Sequence, residues 1–319
     1  MMKKKFKWLG LLAALLLGIG SYQIAAHADD SSDEPIVTLG SSLTSSQKSG
    51  TIDTLTSSLN GSNYQTLTVN GDTLVKYLNP AGESFTSSSG VWSSAMIQKT
   101  SSGSGINVKI LDYNGSNNIT TITADQYKNA ALTAGITDAN IYVTSATSID
   151  GSGALAGVYA AYAKNGNALN TQQVNAAQSE LSTLSGITTA NKGKDGYSDA
   201  QLNNAVAGAK AEMAKKGSNV TKNEITTIVN QQITNNNLTN VITNNQKTEI
   251  INLLVKIRDS GALDSSSFKT QANSLMKNIQ SNAKGIFSKL NTPENQNLLQ
   301  KIWTAVVNFF SSIVKSIFG

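Results

Sequence analysis

TADQYKNAALTAGITDANIYVTSATSIDGSGALAGVYAAYA, residues 123–163, reads as a helix, a strand, a glycine turn and a second helix. Thr123 and Gln126 have capping-box spacing, which marks a helix start. Tyr127, Ala130, Ala131 and Ala134 then form a small apolar face, and Gly135 stands where a helix places its terminating glycine. Ile141–Thr144 is β-branched and aromatic, as strands are. Gly151-Ser152-Gly153 turns the chain into an Ala-rich helix over 154–163, closed by Asn165-Gly166. The apolar side chains of this stretch are small, which suits helices lying close on a sheet.

Working outward, the segment before it supplies strands. Tyr64–Val69, Val91–Lys99 and Ile106–Leu111 read as strands, the last two joined as a hairpin through the Ser/Gly loop 100–105, and Ile119–Ile122 reads as a short fourth. Thr44-x-x-Gln47 opens a helix carrying Ile52, Leu55 and Leu59. Asp72–Leu78 forms a few helical turns stopped by Asn79-Pro80. After Asn170 strand signals vanish. Val174, Ala177, Leu181 and Leu184 recur at helical spacing, and caps at Ser198, Thr221, Thr243 and Asp264 open further amphipathic helices. The expected fold class is α+β or α/β, a small mixed sheet of four or five strands with packed helices, followed by an all-α region. The expected divisions are 36–166 for the α/β part and 167–290 for the helical part.

Both ends read differently. Residues 1–28 have the order of a secretory signal peptide: Lys3, Lys4, Lys5 and Lys7, an apolar run from Leu9, and Ala26-His27-Ala28 before Asp29. Cleavage after Ala28 places the protein outside the cell or on the outer face of its envelope, with 29–35 as an acidic spacer. It also changes the charge: 25 Lys+Arg less four leaves 21 against 20 Asp+Glu, so little net field remains. Arg258 is the only arginine, and no nucleic-acid partner is expected. The cleaved chain has no Cys and no His, which removes Ser-His-Asp and Cys-His catalysis, disulfides, and zinc sites with thiolate or imidazole ligands. At the other end Thr292-Pro293-Glu294 starts a helix that is apolar over more than half its circumference. Ile302, Trp303, Val306, Phe309, Phe310, Ile313, Ile317 and Phe318 are its expected contacts with a membrane surface, a partner helix or a second copy of the chain.

One ordered set of motifs resembles a known family. It comprises Ser93-Ser94-Ala95, Gly103-Ser-Gly-Ile-Asn-Val108, Ile119-Thr120, Tyr127-x-x-Ala130-x-Leu-Thr-Ala-Gly-Ile136, Asp138-Ala-Asn-Ile141 and Gly153-x-Leu155-x-Gly157-Val158. These resemble the YpuA-like family (DUF1002) of secreted proteins from Gram-positive bacteria, over about residues 36–260. The resemblance implies export. It carries no activity and no site residues.

Other motifs point to chemistry only loosely. Gly151, Ser152 and Gly153 between strand and helix have the look of an anion-binding turn, but no second βα unit with its acidic residue follows, and close helix–sheet packing explains the glycines as well. Ser45-x-x-Lys48 is one of several Ser-x-x-Lys matches in a Ser-rich chain. Asp112-x-Asn114-Gly115-x-Asn117 lacks the distant Glu of a calcium loop and reads as an Asn-Gly turn. Glu83, Asp112, Asp125, Asp138 and Asp150 are the carboxylates available in the α/β part for hydrolysis. No cofactor or metal is expected. The reading that follows is a non-enzymatic exported binding or structural protein with an attachment helix. Its alternatives are an Asp/Glu-dependent hydrolase of envelope polymers and a self-assembling surface protein.

Overall fold

A five-stranded mixed sheet in the order β2-β1-β3-β5-β4 organises the molecule, seen here in a computed structural model that describes residues 34–290. The signal-peptide reading and the whole 292–319 helix lie outside the described residues. β1 (Ile36–Gly40) leads into α1 (Ser45–Thr56), and β2 (Gln65–Val69) into α2 (Gly71–Tyr77). β3 (Ser93–Lys99) and β4 (Ile106–Ile110) precede α3 (Ala124–Thr133), β5 (Ala139–Ser145) and α4 (Ser152–Lys164). β1–β2 and β4–β5 are parallel pairs, and β3 runs antiparallel to both β1 and β5. The mixed sheet and its packed helices are those expected from sequence.

One connection differs. β3 and β4 do not form a hairpin, because β5 inserts between them and pairs with β3 along seven residues, from Ser93 opposite Ser145 to Lys99 opposite Ala139. The 100–105 loop spans the width of β5 instead of reversing the chain tightly. β5 is buried at Ile141, Val143, Thr144 and Ser145 and takes the interior position, while the shorter β4, with Lys109 exposed, becomes an edge. β1 has weak flanking signals in the sequence, yet all five of its residues are buried. The segment 119–122 contributes only a bridge from Ile119 to Ile149.

The two faces of the sheet are covered unequally. Among the described residues α1 alone packs on one, over Val37, Leu39 and Met96 through its Leu55. α3 and α4 pack on the other, and behind them come α5 (Thr171–Asn191), α6 (Asp199–Lys216), α7 (Lys222–Asn235), α8 (Asn244–Asp259), α9 (Ser266–Asn282) and α10 (Lys284–Leu290). One hydrophobic core runs from Ile36 in the sheet to Ile279 in α9. α4 comes close to the sheet because it carries glycine where it crosses: a Cβ on Gly157 would lie 2.6 Å from Thr38 Oγ1 and one on Gly153 2.9 Å from Ser93 Oγ. Capping boxes at Thr123/Gln126, Thr221/Glu224 and Thr243/Gln246 are formed as their spacing predicts. Gly135 ends α3 at φ +87°, with Ile136 N–H donating to the Ala131 carbonyl. Asp264 is not the cap of α9. Ser265 is, while the Asp264 carboxylate accepts from Ser218 N–H at 3.0 Å.

α3 is the central helix. Residues 126–133 are all buried, walled by β4, α5, α6 and α9, so its polar side chains have no water to turn to. Lys210 of α6 answers this need. Its Nζ donates to Glu180 Oε1 at 2.8 Å, to the Asn129 carbonyl at 2.9 Å and to Thr133 Oγ1 at 3.3 Å, while Thr133 Oγ1 donates to Glu180 Oε2 at 2.5 Å. The ammonium thus has a partner for each proton, and both ends of the ion pair are 0% exposed. Burial pushes the Lys210 amine down, and the Glu180 charge opposes that. Removing one partner leaves the other as a lone buried charge. Lys210→Met is therefore expected to cost about 3–5 kcal/mol in urea unfolding, and adding Glu180→Leu to recover most of it. A double variant no more stable than Lys210→Met would show that the pair does not act as a unit.

Candidate functional site

The N-terminus of α3, the C-terminal part of α5 and the N-terminus of α6 meet beside the β4 edge. Between them lies a cleft of about 550 Å³, lined by Ile110, Asn117, Ile119, residues 120–124, Thr188, Thr189, Lys192, Gly193 and residues 197–199. Its walls are rich in hydroxyl groups: Thr120, Thr121, Thr123, Thr188, Thr189, Tyr197 and Ser198. Ile110, Ile119 and Ile122 supply the apolar contribution.

Asp199 is the carboxylate in this lining. It is the first residue of α6, after the cap Ser198, and the positive end of the helix dipole favours its charge there. Thr123 Oγ1 donates to its Oδ2 at 2.5 Å; Thr188 Oγ1 and Gln126 Nε2 donate to its Oδ1 at 2.8 and 3.1 Å. Gln126 also reaches Thr188 Oγ1 at 2.9 Å, as does the Tyr197 hydroxyl. Since Thr188 gives its own proton to Asp199, Tyr197 donates to Thr188. Burial holds the Tyr197 phenol far above its usual range, against the Thr188 hydrogen bond and with the Asp199 charge adding to it, so it stays a donor. The Asp199 carboxyl is itself pushed up. Burial is the main cause; the Thr123 and Thr188 hydroxyls oppose it, the Asp125 charge adds to it, and Gln126 opposes it.

The glycine turn, the 112–117 loop and the carboxylates read from sequence fall elsewhere, and residues 302–318 lie outside the described residues. At the glycine turn, Gly151 has φ +107° and its carbonyl accepts from the buried Tyr127 hydroxyl at 2.6 Å. The Asp150 carboxylate already accepts from Ser152 N–H and Oγ, both at 3.2 Å, so a negative group occupies the place an anion would take. The 112–117 loop is a tight turn, with Tyr113 and Ser116 paired and Asn114 and Gly115 both at positive φ. Of the five carboxylates considered for hydrolysis none lines the cleft. Asp125 is bound to Lys128 at 2.9 Å, and Asp138 accepts from Gly105 N–H at 2.9 Å. Asp199 carries no motif in the sequence that marks it as a site residue. The available signal was local, an acid directly after a Ser cap, whereas its partners Thr123 and Gln126 are 76 and 73 residues away.

The raised Asp199 carboxyl has a measurable consequence. A folded-state value above the unfolded one means that the folded chain binds this proton more tightly, so the contribution is fully present at low pH. It is lost as pH rises from the ordinary carboxylate range through the folded-state value. Glu224 works the other way: slight burial acts upward, but the Lys216 ammonium and the Thr221 backbone and hydroxyl donors outweigh it and hold the group low. Comparison with Asp199→Asn cancels Glu224. The stability advantage of the wild type over Asp199→Asn should shrink as pH rises across this window in thermal melts. An advantage that grows with pH would contradict the assignment.

The class defined by these observations is an α+β protein with a mixed five-stranded sheet, a buried central helix and a hydroxyl-lined cleft at the sheet edge. A family model described as "Protein of unknown function (DUF1002)" matches residues 39–275. The chain is 30% identical over 313 residues to "Uncharacterized protein YpuA" of Bacillus subtilis (strain 168), covering 95% of this chain and 98% of that protein. No solved structure matches significantly. The chain belongs to the DUF1002 family.

Proposed function

We propose that this is an exported protein that binds a small polar ligand in the cleft beside Asp199, does no chemistry on it, and is held at a membrane surface or partner helix by residues 292–319. The observation that carries the binding reading is the cleft itself: hydroxyl walls and isoleucines around a carboxylate fixed by three donors, two from the start of α3 and one from α5. Concave sites with a few fixed polar groups are where small ligands bind. Glycoside hydrolysis calls for two carboxyl groups flanking the bond, roughly 5–10 Å apart. The cleft lining offers Asp199 as its carboxylate, which favours binding over hydrolysis. No helix among the described residues is long and apolar enough to cross a membrane, so the attachment reading rests on the apolar sequence of 298–318.

A fragment screen by amide NMR tests the cleft. Small polyols and amides should shift the signals of residues 120–124, 188–193 and 197–199, and Thr189→Trp, which fills the opening, should abolish those shifts. Shifts gathered elsewhere, or none, would overturn the reading. Export and attachment have their own measurements. The protein recovered outside the cytoplasm should begin at Asp29, and liposome flotation should be lost when 292–319 is removed. An intact Met1 terminus, or equal flotation of both forms, would remove the respective part.

A further inference from the structure

We infer that the cleft selects ligands carrying a protonated amine, with the Asp199 carboxylate as the group that recognises it. This rests on the cleft being a ligand site. Three hydrogen bonds reach Asp199, and an ionised carboxylate has about four acceptor positions, so one remains for a ligand. All three donors are neutral: two hydroxyls and an amide. They orient the charge without cancelling it. Among the described residues the ion pairs are Lys128–Asp125, Lys210–Glu180, Lys215–Glu212, Lys216–Glu224 and Arg258–Asp259, and Asp199 belongs to none of them. Where Glu180 in the interior receives a lysine, Asp199 at the cleft does not.

The surroundings sharpen the contrast. Asp125, on the first turn of α3, acts on Asp199 as a further negative charge, although it is itself paired with Lys128 at 2.9 Å. Lys192 lines the cleft as well, but it is exposed, where water and salt screen its charge. A cleft with low-dielectric walls concentrates the field of a fixed charge toward its mouth. An ammonium entering it supplies a full counter-charge beyond the partial one of the α6 N-terminus, while its neighbouring hydroxyl or ring atoms meet the threonines and isoleucines. Binding would lower the Asp199 proton affinity, so an ammonium ligand releases the proton fraction that Asp199 holds at the working pH.

Matched probes isolate the charge. Glucosamine against glucose, and cyclohexylamine against cyclohexanol, would be titrated into the full chain at neutral pH with amide NMR as readout. The ammonium member of each pair should bind at least about tenfold tighter, equivalent to about 1.4 kcal/mol, with shifts at Thr123, Thr188 and Asp199. The preference should vanish in Asp199→Asn and fall two- to threefold in Asp125→Asn, which keeps the cleft lining and carries the test if the first variant does not fold. Equal affinities within both pairs, or no binding of either ammonium probe, would overturn the inference. If neutral members alone shift the cleft signals, the binding reading stands and this one fails. If all probes shift residues outside the cleft, both fail.

Discussion

The fold depends on a helix that has no outside. α3 is surrounded by β4, α5, α6 and α9, yet it carries Gln126, Lys128, Asn129 and Thr133. A buried polar group without a partner costs on the order of 1–3 kcal/mol, so the helical layers must return a specific group to each. They do so for all but one: Thr188 and Asp199 for Gln126, Asn278 for Lys128 beside Asp125 of α3 itself, Asn203 for the Asn129 Nδ2, and Glu180 with Lys210 for Thr133, while among the described residues the Asn129 Oδ1 accepts no hydrogen bond. Hydrophobic contact alone would let α5 and α6 slide along α3. The polar contacts fix their register.

The same constraint produces the cleft. At the buried end of α3 the polar group is closed off by a complete ion pair. At its N-terminus, where the helix emerges beside the β4 edge, the packing stops short and the polar network faces open space. The helix therefore turns one requirement into two results, a locked interior and an accessible polar floor. Gln126 belongs to both: it is the capping-box partner of Thr123 and a donor to Asp199.

Much of this architecture was legible in residues. Thr123-x-x-Gln126, Gly135 and the glycine turn at 151–153 mark α3, β5 and α4, because caps and positive-φ positions are local requirements. The spacing of apolar residues marked α5 to α9 for the same reason. What was not legible is long-range. Nothing near Thr100–Gly105 shows that β5, more than thirty residues on, will separate β3 from β4. β1 is short and lies next to the spacer, so its pattern is unconvincing until its neighbours β2 and β3 are known. The cleft was hidden altogether: Asp199 is an ordinary cap-adjacent acid until Thr123, Gln126 and Thr188 are brought to it. The glycines of α4 were ambiguous between anion binding and close packing, and only the distances to Thr38 and Ser93 reveal how tightly the helix sits.

The separations across this network also bear on how the molecule assembles. Thr123 meets Asp199 across 76 residues, and Lys210 meets Asn129 across 81. Contacts of that span require a large loop to close before any return is gained, and they slow folding. The cleft walls come from segments made before and after β5 and α4, so neither half of the chain forms the cleft by itself. The cleft is thus a property of the finished fold, and a nascent or partly folded chain that has not brought residues 110–124 to residues 188–199 does not have it.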